Sequence, residues 1–254
     1  MNPIALLIGL LLPPVAAPIS GHFALDGGMP KTHGYLAVSR VGGEALTRKI
    51  DLHLTTDEGT TIRRYDVDMT KLLHLIIVSD DFTTFMHVHP TLGPDGHFTL
   101  VQRFPKAGLY HVYGDAKPTG LSQQVFRYDV TVGTVGSPQS RDLRPSGTTA
   151  FVDGYRVSLD SASLHAGTEN QLIVHITRDG KPANALHPYL GALAHGVFLN
   201  ARTLKYEHVH PISLEDAHAS MSRMSGMNAP PLPEGSRSSP DLQLHVNVRE
   251  PRHV

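Results

Sequence analysis

Apolar and polar positions alternate with period two along much of this chain, and that period predicts strands. Ile50-Asp51-Leu52-His53-Leu54 alternates, as does Leu172 to Ile176 around its polar positions. Phe126-Arg127-Tyr128-Asp129-Val130-Thr131-Val132 alternates over its whole length. Leu72 to Val78 is mostly apolar instead, which predicts a strand buried on both faces. Beyond the first residues, no stretch of ten carries a helical apolar stripe. Turn residues separate the strands, as at Asp57-Glu58-Gly59 and Asp179-Gly180. The expectation is an all-β protein.

The pattern occurs twice. His74-Leu75-Ile76-Ile77-Val78, then Phe85-Met86-His87-Val88-His89-Pro90, is matched by His195-Gly196-Val197-Phe198-Leu199, then Tyr206-Glu207-His208-Val209-His210-Pro211. Each histidine of the first set lies 121 positions before its counterpart (74 to 195, 87 to 208, 89 to 210). Tyr35–Val38 matches Tyr155–Ser158, and Leu52-His53-Leu54 matches Val174-His175-Ile176, at offsets of 120 and 122. Blocks in one order at one offset mark a duplicated unit. Residues 133–150 are rich in Gly, Pro, Ser and Thr, which is a linker composition. The chain therefore divides into a leader at 1–20, a first module at 21–132, the linker, and a second module at 151–254. Two tandem β-sandwiches of the immunoglobulin or cupredoxin kind fit the strand lengths. In the second copy, Leu242 to Val248 resembles the strand before Phe104-Pro105, so this module is expected to lack its last one or two strands.

Composition narrows the chemistry. The net charge is −1, so no basic surplus points to nucleic acid. Cysteine is absent, which excludes disulfides and thiolate metal sites, whereas histidine numbers 17. The apolar run Ile4 to Leu12, broken by Pro13-Pro14 and followed by Val15-Ala16-Ala17, reads as a signal peptide. A periplasmic or secreted setting follows as an expectation, with membrane contact only through an uncleaved leader.

On a strand, residues i and i+2 share a face, so His87 and His89 point together. In an antiparallel hairpin across a short loop, position 74 falls opposite 89, which gathers His74, His87 and His89. The same register gathers His195, His208 and His210. Three imidazoles with an open position suit copper or zinc. Met86 points to the other face and is expected in the core. Downstream, His218, Met221, Met224 and Met227 form a second candidate cluster, since thioethers select Cu(I). A helical turn docking a Met stripe on the core is the other reading of that segment. His53 and His175 fall on the polar phase of their strands and read as solvent-facing. His97, His111 and His245 belong to no cluster visible in the sequence.

His74 to Ser79, His87-Val88-His89-Pro90 and the Phe104-Pro105…Gly108-Leu109-Tyr110 block resemble bacterial exported domains of the YtkA-like or FixH-like kind. Pro188 to His195 with His208 to Pro211 resembles the same group. The resemblance implies a β-sandwich outside the cytoplasm, near copper handling or cytochrome oxidase assembly, and implies no catalytic residue. It leads to an exported metal-binding protein, copper first and zinc second, that passes its ion to an envelope partner. A non-catalytic envelope scaffold with structural histidines is the first alternative. A cupin-like metalloenzyme is the second, against which stands the missing Glu after His89-Pro90.

Overall fold

The structure, a computed structural model, describes residues 17–25, 29–134, 147–160, 164–165, 167–219, 231–233 and 235–248. Met221, Met224 and Met227, most of the leader and most of the linker lie outside the described residues.

The first module contains β1 (Ile19–Ser20), β2 (His22–Phe23), β3 (His33–Val41), β4 (Glu44–Thr55), β5 (Tyr65–Asp66), β6 (Leu73–Ser79), β7 (Phe85–Val88), β8 (Thr91–Leu92), β9 (Phe98–Arg103), β10 (Gly108–Pro118) and β11 (Gln124–Val132). One sheet runs β1-β3-β4-β9-β8, the other β2-β11-β10-β6-β7 with β5 added at β10. The alternation in β4 turns Ile50, Leu52 and Leu54 inward, where they meet Leu75, Ile77 and Val112 of the facing sheet. Tyr128 and Val130 of β11 close the same core, while Asp129 and Thr131 face outward. The result is the expected β-sandwich.

The second module contains β12 (Thr149–Val152), β13 (Tyr155–Leu159), β14 (Thr168–Arg178), β15 (Lys181–Pro182), β16 (Gly196–Leu199), β17 (Tyr206–Val209), β18 (Ile212–Ser213), the helix α1 (Leu214–Ala219) and β19 (Asp241–Val248). Its larger sheet, β12-β13-β14-β19-β18, repeats the order β1-β3-β4-β9-β8 of the first module. The hairpin β16-β17 repeats β6-β7. Among the described residues no counterpart of β10 and β11 is present, and the core is correspondingly small, built on Leu172, Val209, Leu244 and Val246. The helix α1 starts at a serine N-cap, in which the Asp216 amide donates to Ser213 Oγ at 3.0 Å. His218 is a position in this helix.

All of β6 is buried, for a reason the strand itself does not contain. Its odd positions, Leu75 and Ile77, enter the sandwich core. Its even positions, Ile76 and Val78, pack with Tyr113, Val125 and Tyr206 into a second apolar cluster that Val197 and Leu199 of the other module complete. Tyr113 and Tyr206 stack at 5.0 Å, and Tyr113 Oη donates to the Leu204 carbonyl at 3.1 Å. The Tyr206 amide donates to the Ala24 carbonyl at 3.0 Å. The duplicated hairpins thus face one another across the boundary between the modules.

Candidate metal centre

The pairing of β6 with β7 sets Leu75 opposite Val88 and Ile76 opposite His87, so the next step of the same register sets His74 opposite His89. The pairing of β16 with β17 sets Gly196 opposite Val209 and Val197 opposite His208, which extends to His195 opposite His210. Both registers are those expected from the 13-residue spacing. Met86 falls on the opposite face and packs against the core of the first module.

Each triad brings ring nitrogens to a point. His74 Nδ1 and His87 Nε2 are 2.9 Å apart, and His89 Nε2 lies 3.2 Å from each of them. In the second triad His195 Nδ1 is 3.2 Å from His208 Nε2 and 3.1 Å from His210 Nε2. Nitrogens bonded at about 2.0–2.1 Å to one tetrahedral ion stand roughly 3.3 Å apart, so a slight spreading of either triangle admits an ion.

The other nitrogens of the two anchor rings are held by backbone carbonyls. His74 Nε2 meets the Asp68 carbonyl at 3.3 Å, and His195 Nε2 meets the Tyr189 carbonyl at 2.9 Å. A carbonyl accepts only from N–H, so it places the proton on Nε2 and leaves the Nδ1 lone pair aimed into the triad. Asp68 and Tyr189 are themselves 121 positions apart, each at the start of a tight turn (Asp68 to Lys71, Tyr189 to Ala192) with a left-handed second residue, Met69 at φ 54° and Leu190 at φ 52°. The turn shape repeats although its residues do not.

Two buried carboxylates complete the surroundings. Asp115 lies opposite His74 in the β6–β10 pairing and so shares its face. It accepts from Tyr206 Oη at 3.1 Å and from Gln123 Nε2, and its Oδ2 is 3.4 Å from His208 Nδ1. Burial by itself would raise this carboxyl, but His208, Gln123 and His74 more than offset that and hold it below its ordinary value. Asp68 is also buried, and among the described residues its carboxylate oxygens have no hydrogen-bond partner. Burial, with the charge of Asp115, pushes its pKa up to about 6. Burial, reinforced by neighbouring rings and at His89 first by Lys71, lowers His74 and His89 to about 4 and His87 and His210 to about 3, and it lowers His195 as well. These rings are neutral near pH 7, the form in which imidazole binds metal.

The two triads are in contact. The His74 ring lies 5.2 Å from His208 and 6.0 Å from His195, and His87 lies 5.2 Å from His195 and 5.6 Å from His208. His74, His87 and His195 offer ring nitrogens within 4.8 Å of one another, as do His195, His208 and His210. The sequence points to both triads but not to their proximity, nor to Asp68 and Asp115, which belong to no repeated motif.

Several other histidines depart from their expected surroundings. His53 is not simply solvent-facing: it is half-buried, stacked on His97 at 4.3 Å and on Tyr35 at 5.3 Å. His97 Nδ1 lies 2.6 Å from Asp51 Oδ1, and Asp51, His53 and His97 form a third group with metal-compatible spacing. His175 is likewise half-buried and sits between Asp241 at 2.6 Å and Asp160 at 3.3 Å, which raise its pKa. His111, 3% exposed, is held between Asp129 at 2.7 Å and Asp80 at 2.9 Å, and His245 meets Glu169 at 2.5 Å. These pairings join side chains 15 to 76 positions apart, on neighbouring strands or the loops beside them, and carry no fixed spacing that the linear pattern could reveal.

Among the described residues no helix is long and apolar enough to cross a membrane. No curated protein and no solved structure matches the chain. Residues 34–134 and 150–251 each match the family described as Domain of unknown function (DUF8832), and the chain belongs to that family, with two copies of its domain in tandem.

Proposed function

We propose that this protein binds copper through its histidine triads and serves in copper handling outside the cytoplasm, delivering the ion to an envelope partner. The observation that carries the proposal is the pair of nitrogen triangles, each with an anchor ring whose tautomer a backbone carbonyl presets for metal. All-imidazole ligation suits copper and zinc, and copper stands above zinc in intrinsic affinity for such sites. The absence of cysteine, the Met-rich segment at 221–227 and the resemblance to exported YtkA-like or FixH-like domains support copper and the export route.

Titration of the purified chain with Cu(I), Cu(II) and Zn(II) against chromophoric chelators tests the reading. Copper bound more tightly than zinc, and lost when His87 and His89 together with His208 and His210 are replaced by Ala, is the expected result. Unchanged copper uptake in that variant would remove the ligand assignment. The absence of uptake by the native chain would leave the scaffold alternative, in which the rings only pin the modules together.

A further inference from the structure

We infer that the two triads form one dinuclear centre, in which two metal ions are held between the modules and share a small bridging ligand. The inference rests on the metal-binding reading above and adds the number, coupling and exposure of the ions.

His74, His87 and His89 rise from the face of β6-β7 that is turned toward the second module, and His195, His208 and His210 rise from the face of β16-β17 turned toward the first. An ion capping either triad has its own hairpin behind it and the other triad in front. The remaining coordination positions of the two ions therefore point at each other. The cross-module ring separations of 5.2–6.0 Å hold the triads close enough for one oxygen or nitrogen donor to span the ions. His195 lies at the junction, because its ring nitrogens fall within metal-binding range of partners in both modules.

Charge points to cations at this interface. Asp68 and Asp115 are both buried near His74 and His208, and Asp68 has no hydrogen-bond partner among the described residues. A buried carboxylate without a hydrogen-bond partner is costly unless positive charge stands nearby. Cations held in the triads would supply positive charge beside these two carboxylates. Paired metal ions in two-metal hydrolytic sites share oxygen ligands. The ligand class is accordingly a small anion such as hydroxide or azide, and not a large organic substrate, since His74, His208 and His210 are at most 8% exposed.

The test uses the full chain loaded with Cu(II) alone, with bound copper counted by elemental analysis and spins counted by electron paramagnetic resonance. The expected result is two coppers per chain whose combined signal is well below two spins, or which shows a half-field transition. His87→Ala/His89→Ala, a change at half-buried positions, is expected to leave one copper per chain with the full signal of one isolated spin. Far-UV circular dichroism shows whether that variant keeps its fold. Two coppers with two full, uncoupled spins would overturn the dinuclear centre while leaving the copper reading intact. One copper per chain at saturation would overturn it too. No copper at all would overturn the metal-binding reading, and the centre with it.

Discussion

Asp115 belongs to the first module but serves a histidine of the second. Its carboxylate, fixed by Tyr206 and Gln123, lies 3.4 Å from His208 Nδ1 and favours the tautomer with Nε2 free for the triad. Asp115→Asn keeps the shape and removes the charge. Copper affinity of the second triad is expected to fall about 10–100-fold, the usual effect of losing an outer partner of a metal-binding histidine, with circular dichroism unchanged; chelator competition reads this directly. The histidine cluster also makes stability depend on pH. Its folded pKa values of about 3 to 4 lie below the 6.5 of the unfolded chain. Between those limits the unfolded state binds protons that the native state refuses, so stability falls as pH drops from 6.5 toward 4. Metal-free protein is expected to show its urea midpoint declining across that window, and His87→Ala/His89→Ala to flatten the decline. At this scale the six histidines were legible because they recur at fixed spacing. Asp115 was not, because it sits on β10, which has no counterpart among the described residues of the second module. Asp68 was not, because it serves His74 through its backbone carbonyl, which leaves no side-chain signature.

The hairpins and the tight turns before them act as units. Strand β6 fixes the first residue of its triad, β7 the second, and the turn from Asp68 to Lys71 supplies the carbonyl that orients the anchor ring. The second copy does the same with a turn of different residues, where Gly191 takes φ 81° and its carbonyl accepts from the Leu232 amide at 2.8 Å. A side chain at 191 would be strained by that φ, and its Cβ would stand 2.7 Å from Pro231 Cβ. Gly191→Ala is therefore expected to destabilise the protein by about 1–3 kcal/mol, from the left-handed backbone and the clash together. It should also weaken copper binding at the second triad, because the Tyr189 carbonyl moves with the turn. Calorimetry and copper titration of the same sample check both effects, and a variant with native melting temperature and native affinity would show the turn to be slack. The register of each hairpin could be read from the 13-residue spacing and the period of two. The turns could not, since Asp-Met-Thr-Lys and Tyr-Leu-Gly-Ala share a shape and not a composition.

Across the whole molecule the two hairpins meet face to face with a reciprocity that marks an approximate two-fold relation. His74 to His208 and His87 to His195 are equivalent contacts, and both measure 5.2 Å. The relation extends to the turns, where Thr70 Oγ1 donates to the Leu190 carbonyl at 3.5 Å. Duplication was visible in the sequence, and so was burial of β6 on both faces. That the second copy itself provides the covering surface was not visible, because spacing along a chain carries no information on how two similar modules dock. The symmetry fails at one telling pair. Phe85 and Tyr206 occupy equivalent positions of β7 and β17, yet Phe85 is 57% exposed and Tyr206 is 1% exposed. Tyr206 packs on Tyr113 of β10 and donates to Asp115, and the described part of the second module has no strand in the corresponding place to receive Phe85. Substitution at the two positions is thus expected to give opposite results despite their common origin. Tyr206→Ala removes a buried ring and a hydrogen bond to a buried carboxylate, and should cost about 3–5 kcal/mol, enough to separate the melting of the modules into two calorimetric transitions. Phe85→Ser removes a ring from solvent and should stay within about 0.5 kcal/mol of the native protein. Equal losses at both positions would mean that the modules do not dock through β10 and β17. A loss at Tyr206 alone would show that the contact of β17 with β10 holds the two histidine-bearing hairpins together.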